Sequence, residues 1–461
     1  MKKKTSRRQF IGKTAAIVGA PTIIPASVLG ANAPSNRVTM GFIGMGNRGI
    51  GVMEAFLRNE NVQGVAVADV EDHHVLQREG RKPSRAYGRT PGKEAMEKIY
   101  SANSPAASWK GCKAYEDFRE ITRREDIDCV MVATPDHWHG IITMDALQNG
   151  QDVYCEKPVT HKYAEGHAIH REVAKRKAVF QVGSQQRSDK KFQQAVEIVR
   201  NGLIGEVSKV EVGLPTGHNR PDGDATVKTP PSDLNYDFWC GPEKMLPYME
   251  ARHHWSWRWT LTYGGGQLMD WIGHHNDIAH WGLDMDKSGP ISVEAKNWEF
   301  PETEVYDSPV SYDVISKYEN DIEVVISSRN TMGTKWIGEN GWVHVTRGRV
   351  TASNPAWAED GFTAGEWKTY KNPGHQRNFI DCVKSREDTI ANAETAHRSI
   401  TPGHIAYVSH ALGTPIKWDP KAEKVVGNDE AQKKLMALPY RGDWELGGGV
   451  NSQPTSLLRS A

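Results

Sequence analysis

The sequence predicts a doubly wound α/β domain with a parallel sheet, followed by an α+β domain with a large open, mainly antiparallel sheet. Three observations point there. Strands and helices alternate over residues 38–160, the order that builds a parallel sheet with helices on both faces. A glycine-rich turn, Gly44-Met45-Gly46-Asn47-Arg48-Gly49, joins the first strand to the first helix. From residue 291 to 350 the apolar residues follow the two-residue period of half-buried strands.

The elements follow in order. Residues 38–43 are an apolar strand, 49–57 have helical spacing, and 62–70 form a second strand with Asp69 at its end. Residues 126–134 are apolar enough to be buried on both faces, as parallel strands are. A helix at 141–149 stops at Gly150, and 152–155 is a short strand. The polar stretch 78–113 has no strong period and reads as an insertion. Past Pro158 come a helix at 161–177, a strand at 179–183, a helix at 192–201 and an alternating strand at 207–214. A Pro/Gly-rich loop covers 215–233. The clearest later strands are 314–318, 323–328 and 341–345, and two helices close the chain at 375–384 and 394–412. The expected division is 1–33, 34–160, 161–445 and a tail at 446–461.

Residues 1–33 read as a twin-arginine export signal. Ser6-Arg7-Arg8-Gln9-Phe10 precedes an apolar stretch at 15–29 and the small-residue cleavage site Ala31-Asn32-Ala33. This segment predicts a periplasmic location. The chain carries 57 basic and 57 acidic residues. Residues 1–33 hold six bases and no acid, so their removal leaves a net charge of −6. An acidic mature chain is a poor electrostatic partner for nucleic acid or anionic lipid. No other apolar run approaches the ~20 residues of a membrane span. Cys112, Cys129, Cys155, Cys240 and Cys382 are scattered and odd in number, which suggests neither a disulfide framework nor a zinc site. Fifteen tryptophans are many, and several cluster between Trp255 and Trp281. Such rings wall sugar sites as well as cores.

The glycine turn has the context that a dinucleotide fingerprint requires. It follows a strand, opens a helix and is followed by Asp69 at the end of the next strand. Gly44 allows the turn, Gly46 admits the pyrophosphate, and Gly49 lets the helix approach the strand. An acid at the position of Asp69 favours a free ribose 2′-hydroxyl, hence NAD over NADP. The expected cofactor contacts are Gly44, Met45, Gly46, Asn47, Arg48, Gly49, Asp69, Thr134, Pro135, His139, Glu156, Lys157 and Gln185.

Two further constellations follow. Thr134-Pro135-Asp136-His137-Trp138-His139 and Glu156-Lys157-Pro158 lie just past strand ends, where ligands bind in such sheets. A lysine there can stabilise a developing alkoxide. Gly264-Gly265-Gly266 precedes Asp270 and His274, which are i and i+4 on one helix face. The carboxylate is expected to set the imidazole tautomer and give a general base near neutral pH. A satisfied core histidine on a capped helix is the competing reading. His253, His254, His274 and His275 also raise the question of a metal, but their spacing matches no standard zinc pattern. No metal is expected.

Taken together, these motifs and their order resemble the Gfo/Idh/MocA oxidoreductases, which include glucose–fructose oxidoreductase and inositol dehydrogenases. The resemblance extends to the late segments His375-x-x-x-Phe379 and Ala396-x-Arg398-Ser399. It implies a Rossmann domain, an open-faced sheet domain that mediates homo-oligomers (dimer or tetramer), and hydride transfer between nicotinamide and a sugar or cyclitol carbon. By matching position Lys157, Asp270 and His274 would be catalytic. His274 would take the hydroxyl proton while Lys157 and Asp270 orient and tune it. Lys157, Arg187, Trp271, His275 and Asp277 would contact substrate. The tyrosine that some sugar-oxidising members use as acid is not identifiable by motif. The segment at 253–259 and the doubled His274-His275 look like a subgroup typical of exported bacterial proteins.

Three functions are therefore open: an exported glycoside dehydrogenase, with carbon 3 one candidate position; a glycoside hydrolase working by transient oxidation on the same NAD; and a non-catalytic sugar- or nucleotide-binding protein. Because free NAD is scarce outside the cytoplasm, an exported enzyme is expected to hold its cofactor tightly.

Overall fold

A computed structural model describes residues 36–75, 82, 84–102 and 109–447. The expected export signal and most of the tail lie outside the described residues. The first sheet has six parallel strands: β1 (Val38–Ile43), β2 (Val62–Ala68), β3 (Lys113–Tyr115), β4 (Cys129–Val132), β5 (Asp152–Cys155) and β6 (Phe180–Val182). Their order across the sheet is β3-β2-β1-β4-β5-β6. The direction of winding therefore reverses between β1 and β4, which opens a crevice at their C-terminal ends. β4 and β5 are buried throughout, as strands covered by helices on both faces must be.

The helices that cover this sheet are α1 (Asn47–Leu57), α2 (Arg89–Ala102), α3 (Asp136–Gln148) and α4 (Tyr163–Arg176). α2 corrects the reading of 78–113 as an insertion without period. It buries only Gly92, Met96 and Glu97, so its apolar stripe is too thin to see in sequence. It packs because a Cβ on Gly64 of β2 would lie 3.0 Å from the Met96 methyl. Pro91, in its first turn, costs no hydrogen bond there. The first sheet also runs past the boundary expected at residue 160. The helix at α4 is a crossover, and it returns the chain to add β6 beside β5.

The second sheet has nine strands: β7 (Val207–Gly213), β8 (Ser292–Glu299), β9 (Ser311–Lys317), β10 (Glu323–Ser327), β11 (Gly333–Gly338), β12 (Gly341–Thr346), β13 (Arg349–Ala352), β14 (Ile416–Asp419) and β15 (Lys424–Val425). The order is β13-β12-β11-β7-β10-β9-β8-β14-β15. Only the β7–β10 pair is parallel. In β9, Tyr312, Val314 and Ser316 are buried and alternate with half-buried neighbours. The covering helices are α5 (Lys190–Arg200), α6 (Gly266–Leu283) and α8 (Ala393–Leu412), whereas α7 (His375–Ser385) packs its Phe379 on Phe56 and Tyr154 of the first domain. α6 is buried along nearly its whole length. A Cβ on its Gly282 would sit 2.7 Å from the Trp336 indole of β11. Its Asn276 donates to the Ser399 carbonyl of α8 at 2.7 Å.

No helix among the described residues is long and apolar enough to cross a membrane. All five cysteines are buried free thiols.

Candidate active site

A cavity of about 790 Å³ opens where β1, β4 and β5 end. Gly44, Gly46, Asn47, Arg48 and Asp69 line one side, and Lys157, Asp270, Trp271 and His274 line another. The glycine turn is shaped by steric need. Gly44 has φ 86, and a Cβ there would lie 2.7 Å from the Thr134 nitrogen. A Cβ on Gly49 would strike the Gly44 carbonyl oxygen at 1.8 Å. A Cβ on Gly46 would meet nothing within 4 Å, because that backbone faces the open cavity at the N-terminus of α1. A backbone that can approach a ligand there is the cradle a pyrophosphate needs.

Asp69 braces the turn. Its carboxylate accepts from the Met45 amide at 2.6 Å and the Glu71 amide at 3.0 Å. Burial pushes its pKa up. Arg48 pairs with Glu156 at 3.0 Å, and Gln185 donates to Glu156 at 3.0 Å. His139 stands between the Pro158 carbonyl (2.7 Å) and the Thr134 carbonyl (2.9 Å), so it ties the two loops that carry the motifs. Met45 and Gly49 stand behind the loop; neither is among the residues lining the cavity.

Lys157 reaches across to α6. Its Nζ donates to Asp270 Oδ1 at 2.8 Å and to the Asp270 carbonyl at 2.9 Å. Arg258 Nε donates to the same Oδ1 at 3.1 Å. The Arg258 guanidinium is itself held between the rings of Trp255 and Trp257, 4.6 and 4.4 Å from their centroids. Burial pushes the Asp270 carboxyl up, but Lys157 and Arg258 outweigh it and hold its pKa below the ordinary carboxylate value. This corrects the expected pairing of Asp270 with His274. Two cations from distant segments take the carboxylate instead. The buried His274 Nδ1 has no hydrogen-bond partner. Burial first, then Lys157 and Arg347, lower the His274 pKa well below the usual value. The imidazole is thus neutral, not a base poised near pH 7 by a carboxylate.

Three expected substrate contacts lie elsewhere. Arg187 is 1% exposed and Asp277 is 0% exposed. Arg187 binds Asp277 through two nitrogens at 2.7 and 3.0 Å, and Asp286 through two more contacts at 2.9 and 2.7 Å. His275 is also 0% exposed. Its ring lies parallel to Trp271 with centroids 5.8 Å apart. None of the three lines the cavity, whereas Trp271, Gln185 and Lys157 do.

The cavity also holds groups that sequence reasoning missed. Arg258 lay inside the tryptophan-rich segment and gave no periodic signal. Arg347 covers the Trp271 face at 4.8 Å. Asp136, the first residue of α3, is 3% exposed. Burial pushes its carboxyl up to about 8, with Arg258 and Lys157 acting against the shift and Asp270 adding to it. Because the folded-state pKa is raised, folding favours the protonated form. The resulting stability is present below the ordinary carboxylate value of about 4 and is lost as pH rises toward about 8. Asp136→Asn is expected to flatten this loss. Thermal unfolding across that pH range, equally steep in both proteins, would show that Asp136 does not cause it.

A glycine cradle on a switch-point crevice, in one cavity with a lysine, a carboxylate and an imidazole, defines a Rossmann-type dinucleotide-binding domain. Residues 38–184 match the Gfo/Idh/MocA oxidoreductase family's NAD-binding Rossmann fold, and residues 188–446 match that family's C-terminal alpha/beta domain. The chain belongs to this family. It is 34% identical over 140 residues to glycosyl hydrolase family 109 protein 2 of Shewanella sp. (strain ANA-3), a match covering 30% of this chain and 27% of that one. It is 27% identical over 174 residues to inositol 2-dehydrogenase of Rhodococcus jostii (strain RHA1), covering 38% of this chain and 40% of that one. The match thus spans only about a quarter to two fifths of these relatives. Among solved structures, the aldose-aldose oxidoreductase from Caulobacter crescentus complexed with glycerol shares the fold. Its TM-score is 0.57 at 17% identity, over 83% of this chain and 99% of that one.

Proposed function

We propose that the protein transfers a hydride between a tightly held NAD and a hydroxyl-bearing carbon of a sugar or glycoside. The observation that carries this reading is the meeting of Lys157, Asp270 and His274 in the same cavity as the glycine cradle. NAD, when bound, supplies the hydride acceptor. Lys157 has three donor protons, and Asp270 takes two of them. The third is left for a substrate oxygen, where it favours developing negative charge. His274, kept neutral, accepts the hydroxyl proton. Asp270, held also by Arg258, keeps the lysine aimed into the cavity.

The twin-arginine segment supports export to the periplasm with the cofactor already loaded. A glycoside oxidised at carbon 3 suits such an enzyme, because the resident NAD is then turned over by two substrates in succession. A second reading is favoured by the Shewanella relatives, whose names place them among glycosyl hydrolases. In it the hydride leaves the sugar and returns to it, and the glycosidic bond is cleaved between.

One experiment separates the two. The purified chain, given no cofactor, is mixed with a simple glucoside while its near-ultraviolet absorbance is followed. A lasting rise, the signature of reduced nicotinamide, is the expected result. Free sugar accumulating without lasting reduction would support the hydrolase, and neither change would reject both.

A further inference from the structure

We propose that Glu71, His74 and His254 form a zinc site on the wall of the cofactor cavity. Glu71 lies two residues past Asp69, and His74 opens the short strand His74–Val75. His254 begins the turn His254–Trp259, whose Arg258 grips Asp270. All three side chains line the cavity.

Their ligand atoms are already gathered. His74 Nδ1 is 2.8 Å and His254 Nδ1 is 3.6 Å from Glu71 Oε2. The three ligand atoms lie within 4.8 Å of one another. Zinc bonds of about 2.0–2.1 Å at tetrahedral angles place neighbouring ligand atoms about 3.3 Å apart, midway between the two observed separations. The imidazoles are stacked, with centroids 3.9 Å apart and an angle of 26°, so one ring must turn about its Cβ–Cγ bond for both nitrogens to face a common ion. At 2.8 Å the His74 and Glu71 ligand atoms are already close enough for one ion to bridge both.

Two further features agree. His254 has φ 49, a left-handed conformation that costs a non-glycine residue energy and is tolerated where the surroundings impose it. Asp69 and Asp233 place further negative charge around the Glu71 carboxylate, a crowding that a cation relieves. Two imidazoles and one carboxylate are a borderline donor set that suits zinc. Three protein ligands leave a fourth position for water or a hydroxyl from the cavity. A second cluster, His170, His397 and Glu423, has similar spacing. There the Arg171 guanidinium already stands 3.6 Å from Glu423 Oε2, so a cation is supplied without a metal. An ion at Glu71 would tie the end of β2 to the turn that carries Arg258.

The test is calorimetric titration of the chelator-treated full chain with zinc chloride, with bound metal counted by mass spectrometry. One zinc per chain is expected. His74→Ala and His254→Ala are each expected to weaken binding ~100-fold or more, and His397→Ala is expected to leave it unchanged. Absence of binding, or binding lost only in His397→Ala, overturns the proposal. Because an alanine variant can fail to fold, the wild-type chain is also loaded with cobalt(II). The visible bands of a four-coordinate site are expected; a six-coordinate spectrum, or none, counts against it.

Discussion

Lys157→Ala is expected to lower turnover by ~10²–10³, the cost of removing one donor to a developing oxyanion, while bound NAD stays in place. The two effects separate because Lys157 faces α6 rather than the glycine cradle. Its Nζ is engaged at 2.8 Å by Asp270 Oδ1, and the phosphate-facing backbone is held independently by Asp69. The variant should also fold. A buried carboxylate stripped of its partner is strongly destabilising, but Asp270 keeps Arg258 at 3.1 Å. Its charge therefore remains compensated. His274→Ala is expected to show the same signature, since its neutral ring touches neither the cradle nor the Asp270 carboxylate. The check is single-turnover reduction of resident NAD, with cofactor content measured after gel filtration. Loss of NAD from either variant would mean that the side chain holds cofactor, not substrate, and would withdraw the proposed role.

What could be read in the sequence and what could not divides along a physical line. The glycine turn was legible because backbone constraints are local. Gly49 is fixed by the Gly44 carbonyl of the same turn and Gly44 by its own positive φ, although the atoms crowding Gly44 belong to the distant Ala133 and Thr134, and Asp69 follows from the next strand. The alternation of strands and helices was legible for the same reason. The partners of Asp270 were not. Helical spacing put it beside His274, yet Lys157 and Arg258 arrive from 113 and 12 residues away and win by charge. Arg258 itself is placed by two tryptophan faces, an arrangement with no period to detect. Helix α2 was invisible because three buried residues suffice where the helix only caps an edge of the sheet. The hardest case is a helix buried all round. On α6, spacing shows that Asp270, His274 and Asp277 share a side, but not where along that side the cavity ends.

That last ambiguity yields the second large effect. Arg187→Ala is expected to destabilise the fold by about 3–5 kcal/mol, the usual cost of removing one partner from a buried ion pair. Arg187 stands between Asp277 and Asp286, joined to each by two nitrogen–oxygen contacts between 2.7 and 3.0 Å. Asp277, at 0% exposure, would be left as an uncompensated charge beside Trp281, whose ring now carries the guanidinium at 5.1 Å. Asp277→Asn should cost less, because Arg187 keeps Asp286 and the amide can still accept one of its hydrogen bonds. Replacing all three by apolar residues of similar volume should recover much of the loss, since such networks contribute little net stability once their desolvation is counted. Chemical denaturation of the three variants gives the ordering directly. The substrate KM of whatever fraction folds should be unchanged, because none of these groups lines the cavity. A raised KM with stability altered by less than ~1 kcal/mol, the range of an exposed pair, would return Arg187 and Asp277 to the substrate cleft and show that α6 sits differently against the helix Lys190–Arg200.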